Sequence, residues 1–482
     1  MNKSNNSKLL KSAIAWSSFG QAGTQVLSFA FGIVLARLLL PSEYGLLAMV
    51  VVFTGFAAIF KDLGFGAAIV QRKSIDDNDL STSFWLNAAI GCLLFVLFYF
   101  CAPFIAIFYD NELLTSLVRV VSVNFIITSF ASTHQSLLIK RVDFKTRTKV
   151  IIYALLISSV YGIVLAYSGY GVWALVYSLL CKSTVELIGY FVLVKWRPSF
   201  VFSKESFTNL FSFGYKVTLN SFLGYLNRNS DNLVIGKFLG ESSLGIYSRV
   251  YGIMMLPLRN ISNSFKTALF PIFAKIQDDI EEIKRLYFKS TKMVAFIVFP
   301  LMFGLSAVAE HFTLFLYGKN WIDMVPIMEV LCVFSGFQSI MTFNGTIFYS
   351  LDKPEYETKI FVITTPIILL SFGLGIYFGG LLGLVWFYGI TSLLLMVYKL
   401  SYVKRLINMS YINFFKNLYK PIFFSSLMYL FVLATHMLID NYLELQILML
   451  IIETISGALI YILLSYFFDK TFFINLLKTK FR

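Results

Sequence analysis

Long apolar stretches separated by short charged ones run through nearly the whole of this chain. No charged residue occurs between Asp79 and Asp110, nor between Lys359 and Lys399. About 20 apolar residues cross a bilayer as a helix. The first run is therefore one generous span, and the second is two short ones turning at Gly379, Gly380 and Gly383. The same pattern predicts fourteen spans, at about 14–36, 43–60, 80–107, 113–138, 150–167, 172–194, 207–227, 243–265, 293–309, 324–350, 360–377, 382–398, 421–438 and 445–467. The expected fold class is all-α, a polytopic membrane protein.

Composition agrees. The 482 residues are 58% hydrophobic and 14% charged, with a mean hydropathy of +0.75. Soluble chains carry about 25% charged residues, so this one cannot cover a water-facing surface with charge. The start, MNKSNNSKLLKSAIAW, has basic residues but no small-residue cleavage site after a short apolar core, so it reads as a retained first span. Cys92, Cys101, Cys181 and Cys332 lie inside spans without a CxxC spacing and are expected to pack as small apolar groups. His134, His311 and His436 are far apart and share no metal-ligand spacing. P-loop, GxGxxG and GxSxG patterns are missing. The sequence therefore assigns no catalytic residue, no cofactor and no metal, and an enzyme is not expected.

Charge placement predicts orientation. Of the 40 Lys and Arg, five fall in one set of alternate loops: Arg37, Arg119, Arg228, Lys237 and Lys319. Four more, Lys182, Lys216, Arg249 and Arg259, lie deep in spans, and the rest lie in the opposite loops and the tails. By the positive-inside rule both termini are cytoplasmic. The net charge of +14 then describes a cytoplasmic face meeting anionic lipids, and nucleic acid is not implied.

The chain also repeats itself. Residues 33–47 read IVLARLLLPSEYGLL and residues 233–247 read LVIGKFLGESSLGIY. At an offset of 200, Val34 matches Val234, Arg37 matches Lys237, Leu39 matches Leu239, Ser42 matches Ser242 and Gly45 matches Gly245. Phe19-Gly20 has a counterpart in Phe213-Gly214, and the acidic patch Asp76-Asp77 has one in Asp278-Asp279. Two six-helix lobes are expected, 1–200 and 201–405, followed by a C-terminal helix pair and tail, 406–482. An even number of spans per repeat gives the lobes the same orientation, with a site at the midplane.

ARLLLPSEYGLLAM (36–49), GYGVWALV (169–176), DNLVIGKFLGESSLGIYSR (231–249) and FPIFAKIQDD (270–279) resemble the polysaccharide transporter family, within the superfamily that also holds the multidrug and toxin extrusion antiporters. The resemblance covers about residues 1–400 and rests mostly on turns and helix ends. It implies a two-lobed flippase of the bacterial plasma membrane. Such a flippase moves an undecaprenyl-pyrophosphate-linked oligosaccharide to the outer leaflet for O-antigen, capsule or exopolysaccharide. Implied partners are that lipid-linked oligosaccharide, membrane lipids, and the polymerase and chain-length machinery of the same pathway. Peptidoglycan-precursor flippases of the same superfamily look as if they need charge in their first helix. Here residues 17–36 carry only Gln21, Thr24, Gln25 and serines as polar groups, which argues against that substrate.

Costly polar residues concentrate between Phe213 and Lys266. Lys216, Asn220, Asn227 and Asp231 are spaced 4, 7 and 4, which at about 100° per residue places them within about 60° on one helix face. Arg228 lies beside them. Arg259 and Asn263 share a face of the next span, with Arg249 nearer the outer side. Charge at such depth tends to face a water-filled path, and Arg and Lys suit a pyrophosphate through charge-assisted hydrogen bonds. These eight are the candidate substrate-binding residues. A plainer assignment pairs Lys216 with a carboxylate on another helix, pairs Arg228 with Asp231 at the surface, and leaves Lys266 to snorkel. Lys182 and Glu186, four apart, are read as a structural pair. Burial favours the protonated form of a carboxyl, so Glu329 in its apolar run is the ion-coupling candidate. Glu453 is assigned to packing or headgroup contact.

Two other classes predict features that differ from these. A multidrug or organic-cation antiporter predicts acidic residues in the first and seventh spans, where only Asp231 is present. A membrane polymerase or glycosyltransferase predicts a large extramembrane loop with paired carboxylates. The longest loop, around 266–292, is instead a connector of mixed charge.

Overall fold

The computed structural model describes residues 3–439 and 445–478, with side chains left undescribed at both ends and at scattered positions of 209–268. Described residues outside turns and short connections are helical. In chain order the helices are α1 (Lys3–Leu38), α2 (Pro41–Ala58), α3 (Phe65–Gln71), α4 (Asp77–Tyr109), α5 (Leu113–Lys140), α6 (Phe144–Tyr167), α7 (Val172–Leu193) and α8 (Lys204–Pro257). After a π-helical turn at Leu258–Ser262 come α9 (Asn263–Lys275), α10 (Ile280–Ala307), α11 (Ala309–Leu316) and α12 (Met324–Ser350). The last four are α13 (Glu355–Ile407), α14 (Tyr411–Ile439), α15 (Gln446–Phe468) and α16 (Lys470–Lys478). A helix satisfies its own backbone bonds, as crossing hydrocarbon requires.

Eleven described helices are long and apolar enough to cross a membrane. The difference from fourteen has two sources. One is α13, counted once although Gly379 and Gly380 leave helical geometry and divide it where the sequence placed a turn. The other is α8, whose two arms correspond to the seventh and eighth spans but carry enough charge and Asn to fall outside that set.

The chain forms two compact units, 1–245 and 246–482. In the first, α4 packs on α5, α6 on α7, and α1 on α6. The short α3 is plugged beneath them, with Phe65 and Ile69 packed against Leu137, Tyr190 and Leu210. In the second, α10 packs on α12 and α14, α12 on α13, and α14 on α15.

Helix ends show what the repeated sequence is for. The Asp76 side chain accepts from the Asp79 amide at 2.7 Å and caps α4; the Asp279 side chain accepts from the Glu282 amide at 3.0 Å and caps α10. The recurring acidic patches are thus recurring N-caps, each worth about 1 kcal/mol. The recurring turn is likewise a helix break. The first copy breaks before Pro41, where the Leu40 amide donates to Glu43 at 2.7 Å. The second breaks at Gly240, whose φ of 79° and ψ of −177° suit glycine alone. The cysteines vary more than expected: Cys332 is buried, Cys101 and Cys181 are half-buried, and Cys92 is exposed.

Gly45 and Gly245 interlock. A Cβ on Gly45 would collide with the Glu241 carbonyl, and one on Gly245 with the Pro41 carbonyl. Pro41 and Glu241 are themselves 200 residues apart, so each copy of the turn packs its glycine on the backbone opening the other. Backbone yields less readily than a side chain. Gly245→Val or Gly45→Val should therefore cost about 3 kcal/mol or more, at or above the upper end of ordinary overpacking. Gly252→Ala, where a Cβ meets nothing within 4 Å, should leave stability unchanged or raised. Thermal unfolding in detergent, followed by size exclusion, checks both.

Candidate functional site

The first arm of α8, up to Gly240, is one continuous helix, so its faces can be assigned. Gly214 meets the Leu63 and Gly64 backbone. Phe222 packs on Phe56 and Phe60 at 5.3 and 5.7 Å. The Tyr225 hydroxyl donates to the Val51 and Val52 carbonyls at 3.1 and 2.8 Å. With Thr218, these positions lie within about 80° on the helix, facing α2 and the segment that follows it. Positions 216, 220, 227 and 231 fall on roughly the opposite side. The stripe read from the sequence is thus backed by a glycine and aromatic face that fixes its rotation. The side chains of Lys216, Asn220, Asn227 and Arg228 lie outside the described ones. Asp231 is buried, its carboxylate accepting from the Asn232 amide at 2.8 Å.

The remaining candidates are dispersed along the chain. Arg249 is half-buried on the second arm of α8. Burial pushes the pKa of the Tyr317 hydroxyl up, and the charge of Arg249 opposes that shift. Arg259 lies in the π-helical turn and Asn263 opens α9, both with side chains outside the described ones. Glu329 is exposed on α12, and its backbone carbonyl accepts from Ser306 Oγ at 2.8 Å. Of the loop cations, Lys237 is held by Asp110 at 2.8 Å.

A second polar site lies in the first unit, beside the uncharged residues 17–36 of α1. Ser17, Gln21 and Thr24 of α1 face Arg147 and Thr148 of α6 across a cavity of about 250 Å³. Thr148 Oγ1 donates to the Trp16 carbonyl at 3.2 Å and fixes the two helices together. Asp143 caps α6 by accepting from the Thr146 amide at 3.1 Å, which places Arg147 at the start of the helix. Arg147 Nε is buried with no hydrogen-bond partner among the described residues. Around it stand Lys182 and Lys61, with Glu186 as the carboxylate they share; Lys182 pairs with Glu186 at 4.0 Å. Burial pushes the pKa of Lys61 down, and Asp62 and Glu186 oppose that shift. Three cations facing one central carboxylate leave net positive charge beside an uncharged polar wall. Such a site can take an anion bearing hydroxyl groups. Arg147 was passed over because it stood among the loop cations. The signal that marks it is Asp143-x-x-Thr146, a cap that turns a loop arginine into a first-turn one.

The histidines require a correction. Although far apart in sequence, His311, His436 and Glu453 come together in the second unit, with ligand atoms all within 4.8 Å of one another. Glu453 is also a buried carboxylate, 1% exposed.

Comparison with known proteins places this architecture. The family described as "Polysaccharide biosynthesis protein" matches residues 34–326. Over 466 residues the chain is 30% identical to the teichuronic acid biosynthesis protein TuaB of Bacillus subtilis (strain 168), covering 95% of each chain. Over 397 residues it is 27% identical to the lipopolysaccharide biosynthesis protein WzxC of Escherichia coli (strain K12), covering 81% of this chain and 80% of that one. The lipid II flippase MurJ in its inward closed conformation superimposes with a TM-score of 0.75 at 16% identity, covering 95% of this chain and 100% of that one. That likeness shows the fold alone. With its apolar helices and this match, the chain is an integral membrane protein and a member of the polysaccharide biosynthesis protein family.

Proposed function

We infer that this protein is a flippase for an undecaprenyl-pyrophosphate-linked oligosaccharide. It carries the repeat unit of a surface polysaccharide from the cytoplasmic to the outer leaflet of the bacterial plasma membrane, with both termini cytoplasmic. The observation that carries this reading is Arg147, a cation facing the uncharged polar side of α1 with a buried Nε that bonds none of the described residues, in a chain whose relatives are named for teichuronic acid and lipopolysaccharide biosynthesis. Pyrophosphate oxygens suit Arg and Lys; sugar hydroxyls suit Ser, Thr, Gln and Asn. The polar stripe of α8, with Arg249, Arg259 and Asn263 beyond it, extends the same chemistry, and Lys216 supplies its charge. The polyprenyl tail stays in lipid while the headgroup is exposed first to one leaflet and then to the other. An inside-negative potential favours outward movement of a polyanion by about 2.3 kcal/mol per charge per 100 mV. The chain is not an enzyme in this reading, and the polymerase and chain-length proteins of the pathway act on what it delivers. The repeat division into 1–200, 201–405 and 406–482 accounts for the duplicated turns and caps. Glu329 is retained as the ion-coupling residue. An organic-cation antiporter is disfavoured because α1 carries no acidic residue and the charge facing it is positive.

Complementation of a deletion strain tests the cationic site. Arg147→Gln, Lys216→Gln, Arg249→Gln and Arg259→Gln should each reduce surface polymer at equal expression, with lipid-linked oligosaccharide accumulating in the inner leaflet. A lost hydrogen bond to a charged group, about 1.5–3 kcal/mol, corresponds to about tenfold or more in affinity. Wild-type polymer from all four variants would exclude the proposal.

Glu186 gives the opposite sign. Because it competes with a bound anion for Lys61, Arg147 and Lys182, Glu186→Gln should tighten binding of a short-chain polyprenyl pyrophosphate several-fold. Quenching of intrinsic fluorescence in detergent measures this. Weaker binding would mean that Glu186 orients the cations instead of competing for them.

A further inference from the structure

We propose that His311, His436 and Glu453 form a binding site for a borderline divalent cation of the Zn²⁺ type. Three helices supply the ligands: His311 the first turn of α11, His436 the last turn of α14, and Glu453 the second turn of α15. His311 Nδ1 lies 3.0 and 3.1 Å from the two Glu453 carboxylate oxygens, and His436 Nδ1 lies 2.9 Å from Oε1. The imidazole centroids are 4.8 Å apart. Both Nδ1 atoms therefore converge on one carboxylate that is itself 1% exposed, beside a His311 that is 2% exposed.

A buried carboxylate needs a cation or several donors to offset its desolvation. Two nitrogens and a carboxylate are a ligand set that Zn²⁺ accepts with its fourth position left to water. Tetrahedral bonds of about 2.0–2.1 Å hold ligand atoms roughly 3.3 Å apart. The observed nitrogen–oxygen separations are within a few tenths of an ångström of that, and the ligand atoms as a set lie within 4.8 Å of one another, so a cation enters as the side chains rotate inward and each imidazole carries its proton on Nε2 instead of Nδ1. Ca²⁺ and Mg²⁺ prefer oxygen donors and are poorly matched.

The surroundings fit the same assignment. His436 Nε2, the ring nitrogen pointing away from Glu453, faces Glu310 Oε2 at 3.9 Å. A metal-bound histidine commonly directs its other N–H to a carboxylate, and an approach of about 1 Å would turn this contact into such a hydrogen bond. Ala307, Val308 and Val432, packed with Phe312, Tyr429 and Leu450, form an apolar layer beside the ligands. Glu453 also lines a cavity of about 450 Å³ that is otherwise almost wholly apolar. Bound there, the cation ties α14 and α15 to α11.

The test uses the full-length protein without a histidine tag, purified in detergent and stripped with a chelator. Equilibrium dialysis against Zn²⁺ alone, read by elemental analysis, should give one ion per chain at micromolar free metal or below. Co²⁺ alone should give the visible absorption of a four-coordinate site. His436→Gln, at a half-exposed position that tolerates the change, should weaken binding at least a hundredfold and remove the Co²⁺ signal. Glu453→Gln should do the same, and Glu310→Gln should weaken binding about tenfold. Zn²⁺ should raise the thermal midpoint of the wild type and leave that of His436→Gln unchanged. No stoichiometric ion in the wild type, meaning a hydrogen-bonded histidine–carboxylate network only, would overturn the proposal. So would His436→Gln binding metal as well as the wild type, which decides the matter even if Glu453→Gln does not fold.

Discussion

A polar group withdrawn from water into hydrocarbon must find its partner within the protein, and this constraint governs both units. It makes the backbone helical and decides where helices can stop. Asp76, Asp143 and Asp279 each accept a backbone amide at a helix start, and Glu43 takes the amide before Pro41. It also gathers charge into groups. Lys182 does not stand alone on α7 but shares Glu186 with Lys61 and Arg147. Glu453 does not stand alone on α15 but is met by two imidazoles.

What the sequence revealed follows from which relations lie within one helix. Apolar run length located the helices, and the offset of 200 marked a repeated stretch whose second copy breaks at Gly240. The α8 stripe was visible because its members share one helix and their spacing fixes their face. The role of the acidic patches was not visible, since capping depends on the backbone angle at one residue. Arg147 was hidden for the same reason, as a residue just past a loop looks like part of it. The cluster of His311, His436 and Glu453 could not be seen at all. Its members lie on three helices, and only packing brings them together.

The two polar regions of the first unit differ in how charge is presented. On α8, charge and amide groups share a helix whose opposite face is locked by Gly214, Phe222 and Tyr225. At α1, residues 17–36 are uncharged and the cation comes from α6. In the proposed flippase this uncharged stretch keeps hydroxyl and amide groups for sugar contacts, while its neighbour carries the electrostatic load. That division suits a substrate with one charged linkage and many uncharged hydroxyls.

The reciprocal packing of Gly45 and Gly245 bears on how such a protein can change over time. Each copy of the turn leaves the other no room for even a methyl group, so neither can drift while its twin stands still. The two copies differ at most of their positions, yet their shared joint is glycine in both. Hybrids assembled from halves of different relatives would have to agree at this joint before any difference in cargo preference could pass between them.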